Sequence, residues 1–222
     1  MNDSFHFGAI FDWDGVIVDS SSSHEESWNL LAQERNQALF EGFFLKSFGM
    51  KNTRIIPELL GWSQDPIEID QISERKEELY RKIVKTKGIT ALPGAVRWVK
   101  ELKARGIPCV VASSGHRKNI DLGLTAIGLL GVFDEIVSAQ DVTLGKPHPE
   151  VFLKAAKKIK VDPSRCIVFE DAHVGIEAAQ RAQIKVIALE TTHSRDSLDH
   201  ADHVISNLSG MTLEIAQEVL NS

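Results

Sequence analysis

Asp12 and Asp14 stand two residues apart, directly after a short apolar run, and Gly15 follows them. In an extended chain, residues i and i+2 point the same way, so both carboxylates can reach one pocket. Two carboxylates held this closely repel each other unless a cation lies between them, and Mg²⁺ is the natural cation. One carboxylate can attack a phosphorus atom while the other transfers a proton to the leaving oxygen. An acidic turn with no catalytic role would contain the same residues, so this motif alone is only moderately specific.

Further polar groups stand at the ends of later apolar runs or in the loops after them. They are two serines, a lysine and a second acidic pair: Ser113, Ser114, Lys146, Glu170 and Asp171. Taken singly, the serines could cap a helix, the lysine could be a solvated loop charge, and the acids could serve a helix N-terminus. Taken together with Asp12 and Asp14 they are hard to explain as caps, and they predict one ligand site.

Short apolar runs that alternate with helical segments would position these groups. The runs cover residues 7–11, 109–112, 135–139, 166–169, 186–189 and 204–205. Their brevity and β-branched content predict strands buried on both faces. The alternation predicts an α/β fold with a Rossmann-like, doubly wound parallel sheet, whose ligand site lies at the carboxyl ends of the strands.

The stretch 20–88 breaks this alternation because it offers amphipathic helical segments and no convincing strand. It is followed by Pro93 and Gly94, which mark the return to the main domain. The sequence therefore predicts an α/β core made of residues 1–19 and 89–222, with an inserted α-helical cap of residues 20–88.

The ordered set from Asp12 to Asp171 resembles the motifs of the haloacid dehalogenase-like (HAD) hydrolase superfamily. The segment 169–179, which reads FEDAHVGIEAA, is similar to the last motif of that family. The helical insertion directly after Asp19 resembles the small cap of the subgroup that contains β-phosphoglucomutase and sugar-phosphate phosphatases. The resemblance covers almost the whole chain.

The resemblance assigns roles to the acidic residues. Asp12 would be the nucleophile that forms an aspartyl-phosphate, and Asp14 the general acid and base. Asp12, the backbone carbonyl of Asp14 and Asp171 would bind Mg²⁺, and Glu170 would position water or a ligand behind them.

The resemblance also implies that the transferring phosphoryl group is held by Ser113 and Lys146, with Ser114 beside them. Lys146 would offset both the repulsion between the carboxylates and the charge that develops on the phosphoryl oxygens.

Five residues are candidates for substrate contacts. His24 and Trp28 lie four residues apart and share a helix face, with a spacing similar to that of β-phosphoglucomutase. Lys76 and His116 could also meet the substrate. Each has a structural alternative, since a tryptophan at helical spacing is more often a core residue and surface cations are common. Asn52 falls where the mutase has an arginine, which disfavours a mutase.

We therefore expect a Mg²⁺-dependent phosphatase for a small phosphomonoester, with sugar phosphates among the candidates. The alternative is β-phosphoglucomutase, which would need a cap cation for a second phosphate. A non-enzymatic phosphoacceptor receiver domain is less favoured because it would be shorter and would lack the inserted cap. A dehalogenase is disfavoured because it would need neither Asp14 nor Mg²⁺.

The formal net charge of −6 over 222 residues argues against nucleic acid or an anionic membrane as a partner. A small phosphorylated metabolite fits better. The polar start 1–4 lacks a secretory pattern, so we expect a cytoplasmic protein, monomeric or a small homo-oligomer. Cys109 and Cys166 lie in apolar runs and are interpreted as packing residues.

Overall fold

The computed structural model describes residues 6–222, so the polar start 1–4 and residues 1–5 of the expected core lie outside the described residues. A sheet of six parallel strands runs in the order β5-β4-β1-β6-β7-β8. These strands are β1 (Gly8–Phe11), β4 (Cys109–Ala112), β5 (Glu135–Val137), β6 (Cys166–Glu170), β7 (Lys185–Leu189) and β8 (His203–Ile205). The predicted parallel sheet is confirmed.

Five helices pack on the two faces of this sheet. They are α5 (Ala95–Ala104), α6 (Arg117–Ala126), α7 (Glu150–Ile159), α8 (His173–Arg181) and α9 (Leu213–Asn221). Alternation along β1 separates two apolar clusters, because Phe11 packs with Trp98 on one face while Ile10 packs with Phe152 on the other. Both cysteines are buried in these clusters. The chain thus has the expected doubly wound architecture.

β5 is two residues shorter than predicted, whereas β1 is shorter by one. The run 135–139 was expected to be extended throughout, but β5 stops at Val137 and a 3₁₀ turn, Ala139–Asp141, follows. The cause is local, because Asp141 accepts hydrogen bonds from both the backbone nitrogen and the hydroxyl of Ser138. This reciprocal capping starts a turn where the apolar pattern alone would continue the strand.

Most of the stretch between β1 and α5 is helical. It contains α1 (Ser21–Glu34), α2 (Phe43–Ser47), α3 (Asn52–Arg54), a π-helical turn (Ile55–Leu60) and α4 (Pro66–Lys87). α1 and α4 pack around a separate apolar cluster that includes Trp28, Leu31, Ile72 and Leu79. α4 begins at Pro66, where Asp65 caps it by accepting from the backbone of Ile67 at 3.0 Å.

The chain enters and leaves this helical region through two short strands, β2 (Val18–Asp19) and β3 (Thr90–Ala91), which pair antiparallel. The helical cap on an α/β core is therefore present, and the boundaries 19/20 and 88/89 stay a prediction. Within residues 6–222, no helix combines the length and apolar character that crossing a bilayer requires.

Candidate active site

Asp12 and Lys146 form a buried ion pair at the end of β1. Lys146 Nζ lies 2.9 Å from Asp12 Oδ1 and 2.5 Å from Glu170 Oε1. Burial raises the pKa of Asp12 to about 7, and the charges of Glu170 and Asp14 add to this while Lys146 opposes it. Burial alone would lower the pKa of Lys146, but the two carboxylates hold it above its usual range. The ammonium is therefore charged, donates to Glu170 and lies against Asp12.

Three buried carboxylates converge where β1 and β6 end side by side. Asp12, Glu170 and Asp171 each offer an oxygen, and these oxygens lie within 4.8 Å of one another. Burial raises the pKa of Asp171 well above its usual range, and the neighbouring carboxylates raise it further. With Lys146 as the nearby cation, negative charge exceeds positive charge by two when all four groups are ionised. A divalent cation would balance this excess.

The hydrogen bonds around the cluster distinguish its members. Both oxygens of Glu170 have donors, since Oε1 contacts Lys146 and Oε2 accepts from the backbone nitrogens of Asp171 and Ala172, each at 2.7 Å. Asp171 Oδ2 accepts from the Thr192 hydroxyl, whereas the buried Oδ1 has no hydrogen-bond partner within residues 6–222. An orphaned buried carboxylate oxygen is costly unless a ligand satisfies it. The residues present therefore fit a metal ion, with Asp12 and Asp171 as the freer ligands.

Two glycines make room for these acids. Gly15 has a φ of +77°, and a Cβ there would lie 1.9 Å from Asp171 Oδ2. At Gly175, on α8, a Cβ would lie 1.7 Å from Glu170 Oε1. Any larger residue at either position would displace a carboxylate, so the glycines belong to the construction of the site.

The side chain of Asp14 faces the cap and is not part of the three-carboxylate cluster. Its Oδ1 lies 2.6 Å from the Ser20 hydroxyl and 3.0 Å from His24 Nε2, while His24 Nδ1 lies 2.6 Å from Lys76 Nζ. Burial alone would raise the pKa of Asp14, but the contacts with His24 and Ser20 hold it below its usual value. Metal ligation by Asp14 through its backbone carbonyl is compatible with this orientation.

The two serines follow β4 as expected. Ser113 is buried, and its hydroxyl accepts from the backbone nitrogen of Gly115 at 2.9 Å. A Cβ at Gly115 would come within 3.1 Å of that hydroxyl and 3.3 Å of Asp14 Oδ2, so the second oxygen of Asp14 is close to this loop. Ser114 lines the cleft beside Ser113. The structure thus brings the serine loop next to the carboxylates.

Two adjoining cavities lie between the cap and the core at the candidate site. The inner one, of about 50 Å³, contains Asp12, Asp14 and Ser113 in its wall, and the outer one measures about 400 Å³. They share Asn52, Glu77 and Ser114 as lining residues. The inner volume has room for only a few water molecules. The cap is therefore closed over the acidic residues.

The five cap and loop candidates all line one of these cavities. The inner cavity has His24, Trp28, Asn52 and Lys76 in its wall, and the outer one has Asn52 and His116. Two of them also have a structural role. Trp28 packs into the apolar cluster of the cap. His116 caps α6, because its Nδ1 accepts from the backbone nitrogen of Lys118 at 3.1 Å.

Glu77 and Asn119 are among the residues at the site that escaped the sequence analysis, as are Ser20 and Thr192. Glu77 is buried on α4 and accepts from Asn52 at 2.6 Å, from Lys76 at 3.1 Å and from Asn119 on α6. Asn119 Oδ1 in turn accepts from Arg81 at 3.2 Å. The signal for Glu77 was its position next to Lys76, at the edge of the apolar face of α4. Asn119 offered none, because its partners are distant in sequence.

Comparison with known proteins identifies the family to which this chain belongs. Residues 9–189 match the family model described as haloacid dehalogenase-like hydrolase. The chain belongs to this family. The predicted resemblance to HAD hydrolases is therefore confirmed, and the matched range runs from β1 to the end of β7.

Several HAD hydrolases of known name are similar to this chain. The 5-amino-6-(5-phospho-D-ribitylamino)uracil phosphatase of Arabidopsis thaliana is 34% identical over 93% of this chain, which spans 56% of that longer protein. Validoxylamine A 7'-phosphate phosphatase of Streptomyces hygroscopicus subsp. limoneus is 31% identical, with 90% of this chain and 93% of that protein covered. These relatives confirm the predicted enzyme class, a phosphoric monoester hydrolase.

Solved structures of HAD hydrolases agree with the fold. β-Phosphoglucomutase from Clostridium difficile superimposes with a TM-score of 0.86 at 27% identity, and the match covers 97% of each chain. A family IA HAD hydrolase from Entamoeba histolytica gives a TM-score of 0.88, also at 27% identity, over 97% of this chain and 100% of that one.

Proposed function

We propose that this chain is a Mg²⁺-dependent phosphatase that hydrolyses a small phosphomonoester through an aspartyl-phosphate on Asp12. The observation that carries the proposal is the buried contact of 2.9 Å between Asp12 and Lys146, at the carboxyl end of β1 and beside two further carboxylates. A buried, paired carboxylate next to a fixed cation suits attack on phosphorus, because the cation stabilises the charge that develops during transfer.

In the proposed reaction the phosphoryl group lies between Asp12 and the serine loop. Asp12 attacks the phosphorus, and Lys146 and the hydroxyl of Ser113 hold the phosphoryl oxygens, with Ser114 at the side of the leaving group. Mg²⁺ would be held by Asp12, Asp171 and the carbonyl of Asp14, and when bound it neutralises charge on the phosphoryl oxygens. Glu170 fixes Lys146 and the backbone of Asp171 behind this group.

Asp14 is the proposed proton carrier. It would give a proton to the leaving oxygen in the first half of the reaction and take one from water in the second. With His24 and Ser20 as donors its carboxylate is ionised, which suits the second half. The first half requires that Asp14 take up a proton while the cap is open and the contact with His24 is broken.

β-Phosphoglucomutase is the second candidate, supported by the structural match and by the closed cap. Phosphatase is favoured because Asn52, at the position of the expected mutase arginine, is bonded to Ser73 and Glu77. Arg54 is paired with Glu58 at 2.7 Å and donates to the backbone carbonyl of Lys146 at 3.5 Å. It lines neither the inner nor the outer cavity but a third one next to the outer cavity. A second phosphate in the inner or outer cavity therefore lacks the cap arginine that it would need.

A screen of phosphorylated metabolites for phosphate release tests this function. Purified protein would be supplied with an aryl phosphate and a panel of sugar and polyol phosphates, in Mg²⁺ and in EDTA. We expect Mg²⁺-dependent release of inorganic phosphate without a bisphosphate activator. Conversion of β-glucose 1-phosphate to glucose 6-phosphate with little free phosphate would instead establish the mutase.

A further inference from the structure

The outer cavity is where the leaving group of a substrate must lie. It shares Asn52, Glu77 and Ser114 with the inner cavity that holds Asp12, so it is the space that continues from the reacting centre. Its volume of about 400 Å³ suits a small metabolite. All of its lining residues except Ala139 have polar side chains.

The wall that α4 contributes to this cavity is acidic. Asp70, Glu74 and Glu77 are spaced at i, i+4 and i+7, so they share one helix face, and all three line the cavity. The lysine in the lining, Lys51, donates to the carbonyl of Val142 at 2.9 Å. Among the lining residues, three carboxylates therefore accompany one ammonium group. Two cations that do not line this cavity contact the same acids, since Arg81 lies 2.8 Å from Glu74 and Lys76 lies 3.1 Å from Glu77.

Cations near the cavity are already paired with acids. Arg117, which follows His116, is bonded to Asp121 at 2.9 Å. Lys118 lies 3.7 Å from Glu74, and His116 Nε2 lies 3.4 Å from the same carboxylate. The cations of the loop after Ser113 are thus paired with carboxylates.

Glu77 is the member of this wall closest to the chemistry. It is the only one of the three that lines both cavities, and its exposed fraction is 6%. Its donors, Asn52, Lys76 and Asn119, come from three different helices and hold the carboxylate in place. A buried charge interacts more strongly than an exposed one because it is less screened by water and salt.

We propose that Glu77 is a specificity-determining residue that selects phosphomonoesters whose leaving group is hydroxylated and carries no second anion. The inference rests on the phosphatase function proposed above. A second phosphate or a carboxylate in the outer cavity would be repelled by the carboxylates of α4. Hydroxyl groups would form hydrogen bonds with the polar lining, and an amino group would be attracted to the carboxylates.

The test compares substrates that differ only in the second charge. D-Mannitol has a two-fold axis, so the two phosphates of mannitol 1,6-bisphosphate are equivalent, and mannitol 1-phosphate is its matched partner. We expect kcat/KM per phosphate to favour the monophosphate by about tenfold, and Glu77→Gln to reduce this preference about fivefold. Glucosamine 6-phosphate should likewise be preferred over glucose 6-phosphate.

Glu78→Gln is the control, because it removes the same charge from the next residue of α4, which is paired with Arg75 outside the cavities. Its selectivity should equal that of the parent protein. Asp70→Asn, at an exposed position, should lower the preference and serves as the test if Glu77→Gln does not fold. If the protein hydrolyses an aryl phosphate but shows equal kcat/KM per phosphate for both mannitol esters, the inference about Glu77 is wrong and the proposed phosphatase function stands. A lack of turnover for every ester would instead overturn the proposed phosphatase.

Discussion

His24 on α1 and Asp14 after β1 are joined at 3.0 Å between Nε2 and Oδ1, across the boundary between the cap and the core. The other ring nitrogen, Nδ1, lies 2.6 Å from Lys76 Nζ. An ammonium group has donors and no acceptor, so Nδ1 must accept and the imidazole hydrogen must be on Nε2. Lys76 thereby selects the tautomer of His24 that donates to Asp14.

Removing His24 should change the pH dependence of turnover. In His24→Ala, Asp14 loses a donor that lowers its pKa, so the limb of the kcat profile that reports Asp14 should move to higher pH. Lys76→Met should shift this limb in the same direction but less far, since His24 remains and loses only the contact that fixes its tautomer. Steady-state kinetics from pH 4 to pH 9 measures both shifts. Profiles that coincide with that of the parent protein would show that His24 does not act through Asp14.

Replacing Asp12 tests the nucleophile. Asp12→Asn keeps the size of the side chain and removes its charge, so turnover of an aryl phosphate should fall by at least about a thousandfold. Circular dichroism should be unchanged, which separates loss of chemistry from loss of fold. Substantial residual turnover would exclude Asp12 as the attacking group.

Removing the buried cation should destabilise the fold. Lys146→Ala leaves Asp12 and Glu170 as neighbouring buried carboxylates, and breaking a buried ion pair in this way costs about 3–5 kcal/mol. Urea denaturation at pH 7 measures the loss. Lys154→Ala is the matched control, since that side chain is exposed and paired with Glu150 on the surface, and it should change stability by about 0.5 kcal/mol or less. Equal effects of the two substitutions would refute a buried ion pair at Lys146.

The metal-free protein should lose stability as pH rises. Asp12 has a folded-state pKa of about 7 against an ordinary value of 3.8, so its contribution is fully present below about pH 4 and is lost as pH rises through about 7. Asp171, whose pKa is also raised, acts in the same direction. Thermal unfolding in EDTA should therefore give a lower Tm at pH 8 than at pH 5.

Mg²⁺ should reverse this loss, because it binds the ionised carboxylates of the folded state. The increase in Tm on adding Mg²⁺ should be larger at pH 8 than at pH 5, and Asp171→Asn should remove most of it. A Tm that responds to Mg²⁺ equally at both pH values would contradict a metal site at these carboxylates.

The sequence predicted the residues whose positions follow from the sheet. Asp12, Ser113 and Glu170 each follow or end a short apolar run, and parallel strands bring such ends to one edge. The contact between His24 and Asp14 could not be predicted, because helical spacing relates residues on the same element only. Glu77 and Asn119, which are 42 residues apart, meet through the packing of α4 on α6. The three acids of the outer cavity share one face of α4, but the cavity that they line depends on how α4 packs against the core, which helical spacing does not show.

The pairing of β2 with β3 has a consequence for the engineering of this enzyme. Val18 is opposite Ala91 and Asp19 is opposite Thr90, so the chain leaves the α/β core and returns to it at neighbouring points. A hairpin loop of about two residues can bridge such a pair. The helical cap thus begins and ends at one place on the core, so we expect that a short hairpin can replace it. Such a protein would lose the contact between His24 and Asp14 but should admit bulky phosphoesters such as phosphorylated peptides.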